Sequence, residues 1–251
     1  MLDQLAVFSL GCNNIAIDEA HPTGTVAVKI GAEGKPSYTI HENVAWDYIP
    51  KTPQLLELAK RANAVSFGTL AQRAEVSLTS IQAFVNEAHP KALCIFDINL
   101  RQSFYSPEVI KSSLELSHVL KLNEEELAVV ADQLSLDGDE LTLVSKLARR
   151  YRLHLVALTK GEKGSLIYSK GQISYHHGYK VKVADTVGAG DSFTTALALG
   201  MLKGYSLDEL SSHANRVAAF VCSRSGATPE LPDELWCYTN RQRNYVKYII
   251  S

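Results

Sequence analysis

The sequence predicts an α/β fold in which a mainly parallel central sheet carries helices on both faces. From residue 52 onward, short apolar runs alternate with longer amphipathic runs, for example 64–68, then 77–88, then 93–99. This alternation is typical of βαβ units. The short runs are almost wholly apolar, as expected for strands that are covered on both sides.

The same patterns predict most elements of the sheet layer in chain order. Gly204 stands where a helix C-terminus favours glycine, and Ser206 with Glu209 forms a capping box that opens the last helix. The predicted strands are 64–68, 93–99, 118–121, 153–158, 166–169, 172–176 and 181–184. The predicted helices are 53–62, 77–88, 107–116, 124–134, 140–151, 194–202 and the helix that opens at Ser206.

The first 45 residues show a different pattern of apolar and polar residues. Residues 5–10 and 15–17 are strand-like, and two alternating runs at 25–30 and 37–40 are separated by a glycine-rich turn. The alternation predicts a β-hairpin within about 15–45. An edge hairpin with no role beyond packing is the usual case for such a pattern.

Composition excludes several classes of protein. The chain has 251 residues, a hydrophobic fraction of 46% and a formal charge of −2, which gives no basic field for nucleic acid. Four scattered cysteines without a C-x-x-C pair suggest neither zinc nor a disulfide framework, and a reducing cytoplasm fits best. We expect no membrane span and no signal peptide.

Residues 185–193 are the candidate catalytic segment. It reads D-T-V-G-A-G-D-S-F and connects the strand-like run to a helix, so bare backbone N–H groups would form an anion cradle at the helix N-terminus. Asp191 beside it would repel an anion unless it accepts a proton from a hydroxyl. Spacing alone leaves an alternative equally open, in which Asp191 only caps the helix or compensates its dipole.

Two common phosphate-binding motifs are absent. The sequence has no G-x-x-x-x-G-K-[ST], and the loop lacks the third glycine of a dinucleotide fingerprint. The nine-residue stretch instead resembles the D-T-x-G-A-G-D-x-F signature of the ribokinase (PfkB) family of sugar and nucleoside kinases. The resemblance implies a ribokinase-like fold in one domain over 1–251, with the hairpin as a lid over the sugar. It also implies that Asp191 is the catalytic base and touches the substrate, while the amides of Gly188, Ala189 and Gly190 hold the transferring phosphate.

Polar residues also follow the predicted strands. Asp97 and Asn99 lie at the end of one predicted strand with Arg101 just beyond it, and Asn123 with Glu126 follow the next strand. Ligands of open α/β sheets bind outside the carboxyl ends of strands, so these clusters suggest one shared crevice. The alternatives are an ion pair at the surface and an acidic first helical turn.

The family resemblance assigns roles to these and further positions. It implies that Asn99 and Arg101 bind substrate, that Arg101 also stabilises the moving phosphoryl group, and that Asn123 and Glu126 organise Mg²⁺ through water. It implies ATP contacts from Asn123, Thr159, Gly161, Gly164 and Asn215, and a monovalent cation, K⁺, at Asp185. Glu124 and Glu125 are expected to face solvent.

The segment H-P-T-G-T-V with the later A-W-D is similar to the fructokinase branch of that family. The expected activity is ATP-dependent phosphorylation of a sugar hydroxyl, fructose in particular, with a homodimer as a further expectation. The family's usual first strand, its sugar-binding Asp and its first glycine-rich motif do not precede His21. The alternative is therefore a catalytically silent, shortened homologue that binds nucleotide or a partner.

Overall fold

The sheet layer matches the predicted alternation of strands and helices. The computed structural model describes residue 5 and residues 11–30 and 36–236, and in this part of the chain the strands form one six-stranded and one two-stranded sheet. The strands are β1 Val26–Ile30, β2 Pro36–Ile40, β3 Ala64–Phe67, β4 Leu93–Asp97, β5 Val119–Asn123, β6 Leu155–Thr159, β7 Ser165–Ser169 and β8 Gln172–His176. The helices are α1 Pro53–Ala59, α2 Glu75–Glu87, α3 Pro107–Leu116, α4 Glu124–Gln133, α5 Glu140–Arg150, α6 Ala189–Lys203 and α7 Leu207–Cys222.

The large sheet has the order β3-β4-β5-β6-β7-β8. Strands β3 to β6 run parallel, whereas β7 and β8 continue the sheet as antiparallel hairpin strands. The parallel strands therefore all end at the same edge, and the loops that follow β3, β4, β5 and β6 meet there.

Alternate side chains of the parallel strands point to opposite faces, and each face has its own core. Phe96 and Leu120 pack with helices α3, α4 and α5 on one face. Ile95 and Val119, their sequence neighbours, pack with α6 and α7 on the other face. The two-sided burial explains why these strands are apolar along their whole length.

The two-stranded sheet is the predicted hairpin, with Val26 paired to Ile40. Arg73 fastens the chain just beyond it: its guanidinium donates to both carboxylate oxygens of Asp47 at 2.7 and 2.8 Å and to the His41 carbonyl at 2.6 Å. The guanidinium also lies over the rings of Trp46 and Phe104. Burial alone would raise the pKa of Asp47, but the hydrogen bonds and charge of Arg73 outweigh it and lower that pKa.

Three predicted elements differ from the structure. Residues 15–17 and 181–184 are not strands; Ile17 and Val183 are exposed, and the backbone N–H of Ala184 donates to the Cys222 carbonyl outside any sheet. Helix α6 begins at Ala189, five residues before the predicted start. The predicted strand at 5–10 lies, apart from Leu5, outside the described residues. Among those residues, none of the helices has the length and apolar character that a membrane crossing requires.

Arg73→Ala should destabilise the protein by about 3–5 kcal/mol, because it leaves Asp47 buried without its cation. Urea unfolding measures the loss, and Arg61→Ala, at an exposed arginine, is the control. We expect the control to stay within about 0.5 kcal/mol of the parent chain. An equal, small effect for both variants would show that the Arg73 contact adds nothing to stability.

Candidate active site

Direct contacts join the polar clusters at the carboxyl edge of the sheet. Thr69, just after β3, donates through its hydroxyl to the Ile98 carbonyl after β4 at 2.8 Å. The Leu100 amide donates to Glu126 Oε1 at 3.0 Å, and Asn123 is paired with Thr159 in the β5–β6 ladder. The clusters therefore lie together at one edge of the sheet, and the shared crevice predicted there stays a prediction.

The glycine-rich stretch forms the N-terminus of α6. Gly188 caps the helix with φ +80°, a left-handed conformation that favours glycine. A Cβ atom on Gly188 would lie 2.5 Å from the Ala227 carbonyl oxygen, so glycine also permits close packing against the loop after α7. The cap holds the first turn of α6 close to that loop.

The backbone donors of this turn are not equivalent. The Ala189 N–H donates to the Thr186 carbonyl at 3.3 Å, and the Ser192 N–H donates to the Gly188 carbonyl at 2.9 Å. The N–H groups of Gly188, Gly190 and Asp191 have no backbone acceptor among the described residues. Two of the three predicted donors are therefore available, Ala189 is partly engaged, and the Asp191 amide is an additional donor that the sequence analysis missed.

Asp191 lies in the first turn of α6 and is exposed. Its carboxylate has no hydrogen bond or ion pair within 11–30 and 36–236, while its carbonyl accepts from the Thr195 hydroxyl at 2.8 Å. The capping residue is Gly188, so Asp191 does not cap the helix with its side chain. An uncommitted carboxylate beside free N–H groups can accept a proton next to a bound anion.

A buried cluster that was not predicted from the sequence lies directly below this turn. Lys121 Nζ lies 2.9 Å from Asp97 Oδ1, and the Thr194 hydroxyl donates to Asp97 Oδ2 at 2.7 Å. All three residues are less than 9% exposed. The signal was a lysine in the middle of the apolar strand β5, because a charge in a strand covered on both faces needs a partner.

Asn99 and Arg101 follow β4 at the same edge. Asn99 has φ +45°, a conformation in which asparagine is enriched, and it turns the chain out of the strand. Arg101 is exposed, and its guanidinium donates to the Leu100 carbonyl at 3.1 Å. The guanidinium has no acidic partner in the described part of the chain, so the surface ion pair considered for it does not form. Its predicted role toward substrate and phosphate stays a prediction.

Asn123 and Glu126 form a capping box at the start of α4. The Asn123 side chain accepts from the Glu126 amide at 2.8 Å, and Glu126 Oε2 accepts from the Asn123 amide at 2.8 Å. Glu126 is 5% exposed, and burial raises its pKa against the opposing effects of the Asn123 N–H, the Lys121 charge and the Leu100 N–H.

Both Glu126 oxygens already accept backbone hydrogen bonds. A contact with Mg²⁺ through water therefore suits these residues better than direct coordination, since Mg²⁺ keeps several of its waters in proteins. Glu124, expected to face solvent, has a side chain that is 38% exposed, and its carboxylate also lies 3.7 Å from the ammonium groups of Lys160 and Lys163. The turn after β6 brings both lysines to the first turn of α4.

The residues after β6 form a tight turn. The Thr159 hydroxyl donates to the Leu122 carbonyl at 3.3 Å, and Gly161 has φ +57° with open space around it. Gly164 has φ +88° and packs against the backbones of His176 and Gly178, which leaves no room for a side chain. Gly164 therefore has a structural reason to be glycine, and the ATP contacts predicted for this turn stay predictions.

Asn215 is directed into the protein. It is 7% exposed, and its amide donates to Ser165 Oγ at 2.7 Å and to the Ser211 carbonyl at 2.8 Å. Asn215 thus connects α7 to β7, and neither amide proton is left for a ligand. Its predicted contact with ATP is limited by this geometry to the Oδ1 atom.

Asp185 ties the loop before α6 to the loop after α7. Its Oδ1 accepts from the Val187 amide at 2.9 Å, and its Oδ2 accepts from the Gly226 amide at 3.3 Å. These bonds hold the two loops together. The monovalent cation predicted here stays a prediction.

The geometry defines a class of protein: an open α/β sheet whose carboxyl edge meets a glycine-capped helix that presents an acid and free N–H groups. Residues 1–234 match the pfkB family of carbohydrate kinases, and the chain belongs to that family. Members of this family are phosphotransferases with an alcohol group as acceptor.

Individual relatives cover most of the chain. It is 29% identical to the fructokinase of Escherichia coli over 227 residues, which cover 86% of this chain and 72% of that protein. An uncharacterised sugar kinase from Pyrococcus horikoshii, solved in complex with ATP, is 27% identical with a TM-score of 0.75, covering 90% of this chain and 73% of that one. The fructokinase from Vibrio cholerae, solved with fructose, ADP and calcium ion, is 23% identical and has the same fold, with a TM-score of 0.73 and coverage of 92% and 77%. These likenesses confirm the predicted ribokinase-like fold.

Gly188→Ala should destabilise the protein more than Gly204→Ala, although both glycines are left-handed and stand at opposite ends of α6. Each substitution adds roughly 1–2 kcal/mol of backbone strain. Only a Cβ at 188 meets the Ala227 carbonyl, whereas a Cβ at 204 meets open space. Urea unfolding of the two variants measures the difference, and equal losses would contradict the close packing at Gly188.

Proposed function

We propose that this chain transfers the γ-phosphoryl group of ATP to a hydroxyl group of a sugar, with fructose as the acceptor. The observation that carries the proposal is the pair formed by the exposed Asp191 carboxylate and the N–H groups of Gly188, Gly190 and Asp191 in the same helical turn, none of which has a partner in the part of the chain that the structure describes. The likeness to the Escherichia coli fructokinase supports fructose as the acceptor.

In this proposal Asp191 accepts the proton of the sugar hydroxyl as that oxygen forms its bond to the γ-phosphorus. The bond between the γ-phosphorus and the bridging oxygen breaks, and ADP leaves with the negative charge. The N–H groups of Gly188, Gly190 and Asp191 stabilise the charge on the transferring phosphoryl oxygens, and Ala189 joins them by releasing Thr186. Arg101, which is exposed and free of an acidic partner within the described ranges, adds a positive charge at the same edge.

We place ATP along the loops after β5 and β6, at Asn123, Thr159, Gly161 and Gly164, with Asn215 contributing at most through Oδ1. The ATP complex of the Pyrococcus horikoshii relative supports nucleotide binding by this fold. Mg²⁺ would be held through water by Asn123 and Glu126 and would neutralise charge on the phosphates. A K⁺ ion at Asp185 would sit beside the loops that this carboxylate joins.

An ADP-release assay across fructose, ribose, ketodeoxygluconate and nucleosides tests the acceptor. We expect the highest kcat/KM with fructose, and a stop of turnover when a chelator removes the divalent cation. Turnover with another acceptor only would contradict fructose while leaving the phosphotransferase in place. ATP binding without turnover on any acceptor would favour a silent homologue.

Asp191→Asn tests the base. It should lower kcat by about 10²–10⁴-fold, because the amide cannot accept the proton. ATP affinity, measured by calorimetric titration, should change little. Asp132→Asn, an exposed aspartate of α4, is the matched control and should keep normal turnover. Normal turnover in the Asp191 variant would exclude this residue as the base.

A further inference from the structure

A buried ammonium group lies immediately beneath the proposed phosphate-binding turn. Lys121 is 7% exposed and projects from β5, a strand of the central sheet, toward the N-terminus of α6. Asp97 is its hydrogen-bond acceptor, at 2.9 Å, among the described residues. Asp97 in turn accepts the hydroxyl of Thr194, which lies one turn after Asp191 on α6. Two strands and the helix are therefore joined through one buried charge pair.

Gly190 shows how close the ammonium comes to the site. A Cβ atom built on Gly190 would lie 3.1 Å from Lys121 Nζ, and, apart from the flanking residues and the backbone of α6 itself, no other atom of the described residues would lie within 4 Å of it. Gly190 does not have a positive φ angle, so its backbone accepts an alanine. The space that a side chain would need at this position is thus limited by Lys121 alone.

The second acid near Lys121 is Glu126. Its carboxylate accepts from the amides of Leu100 and Asn123 and holds the loops after β4 and β5. It is therefore committed to these loops, whereas Asp97 is committed to Lys121 and Thr194. The ammonium is the positive member of this buried group, and it faces the turn that carries Gly190 and Asp191.

We propose that Lys121 is a positioning residue for phosphoryl transfer, whose buried ammonium lies under Gly190, fixes the first turn of α6 through Asp97 and Thr194, and adds positive potential at the phosphate. This inference rests on the proposed function. The ammonium lies nearer to Gly190 than the Asp97 carboxylate does, so the pair presents its positive end to the turn. Because a buried charge pair acts over several ångströms with little screening, this positive end stabilises the negatively charged transferring group without touching it. The role differs from that of the N–H groups, which contact the phosphoryl oxygens themselves.

The test separates charge from folding. Lys121→Met alone leaves Asp97 buried and unpaired, so a second variant, Lys121→Met with Asp97→Asn, removes both charges and keeps an acceptor for Thr194. For the double variant we expect kcat to fall about 10- to 100-fold, which is the usual loss when a residue that orients a ligand-contacting group is removed. The KM for ATP should stay within about threefold. Lys111→Met, at an exposed lysine of α3, is the matched control.

A double-mutant cycle tests whether a substitution at Gly190 changes kcat through Lys121. Gly190→Ala should lower kcat in the parent chain because the new methyl group, 3.1 Å from Nζ, pushes the ammonium back by a few tenths of an ångström. It should have little further effect when Lys121 is already methionine, so the two changes are strongly non-additive. Unchanged kcat in the folded double variant, or additive effects in the cycle, would overturn the inference.

A transition-state mimic distinguishes failure of the inference from failure of the proposed function. Absence of turnover in the parent chain would count against the function alone. In that case the affinity for ADP is measured with and without aluminium fluoride. The parent chain should bind ADP more tightly when aluminium fluoride is present. The variant Lys121→Met with Asp97→Asn should lose this gain in affinity while its affinity for ADP alone is unchanged. No gain in the parent chain, or an equal gain in both, would overturn the inference.

Discussion

The arrangement of sheet and site depends on the buried charge pair of Lys121 and Asp97. Removing two charges from water is costly, and close contact compensates only when the remaining polar atoms are also satisfied. Thr194 supplies the second hydrogen bond to Asp97. Both hydrogen bonds to this carboxylate therefore form only when α6 packs against the ends of β4 and β5. The same contact that stabilises the charges therefore sets the rotation and height of the helix that carries Asp191.

A second set of hydrogen bonds, made by Glu126, holds the loops at the carboxyl edge and stabilises the fold. Glu126 accepts from Leu100 on one side and from Asn123 on the other, which locks the loop after β4 onto the start of α4. Polar residues at this edge are thus largely committed to one another. Among the described residues, the groups without a partner include the Asp191 carboxylate and a few N–H groups of its turn, while the Arg101 guanidinium donates to the neighbouring Leu100 carbonyl and has no acidic partner. A polar edge with most donors paired is rigid, and rigidity is what lets the few free groups act on a ligand without reorganising.

Much of the fold was predictable because strands buried on both faces must be apolar, and β4, β5 and β6 satisfy this rule. The errors have the same physical origin. Residues 181–184 alternate like a strand, yet no strand among the described residues pairs with them, and pairing cannot be read from one segment. Helix α6 was predicted to begin late because Gly190 has low intrinsic helix propensity. In the folded chain the Gly188 cap and the Thr194–Asp97 bond override that propensity, so the helix begins at Ala189 and places Asp191 in its first turn.

The candidate site was predictable in its residue types but not in what each residue faces. Sequence alone left Asp191 evenly divided between a base and an acid that caps the helix or compensates its dipole. The structure excludes capping by the Asp191 side chain because Gly188 holds that position, whereas an acid in the first turn still suits the helix dipole. Three glycines illustrate the same limit: Gly188 is left-handed and presses on Ala227, Gly190 makes room for Lys121, and Gly204 faces open space. A glycine in a sequence reports only that a side chain is absent, whereas its partner comes from distant segments. Lys121 lies 69 positions before Gly190 in the chain, so the group beneath the phosphate-binding turn became visible only when the sheet and helix were assembled.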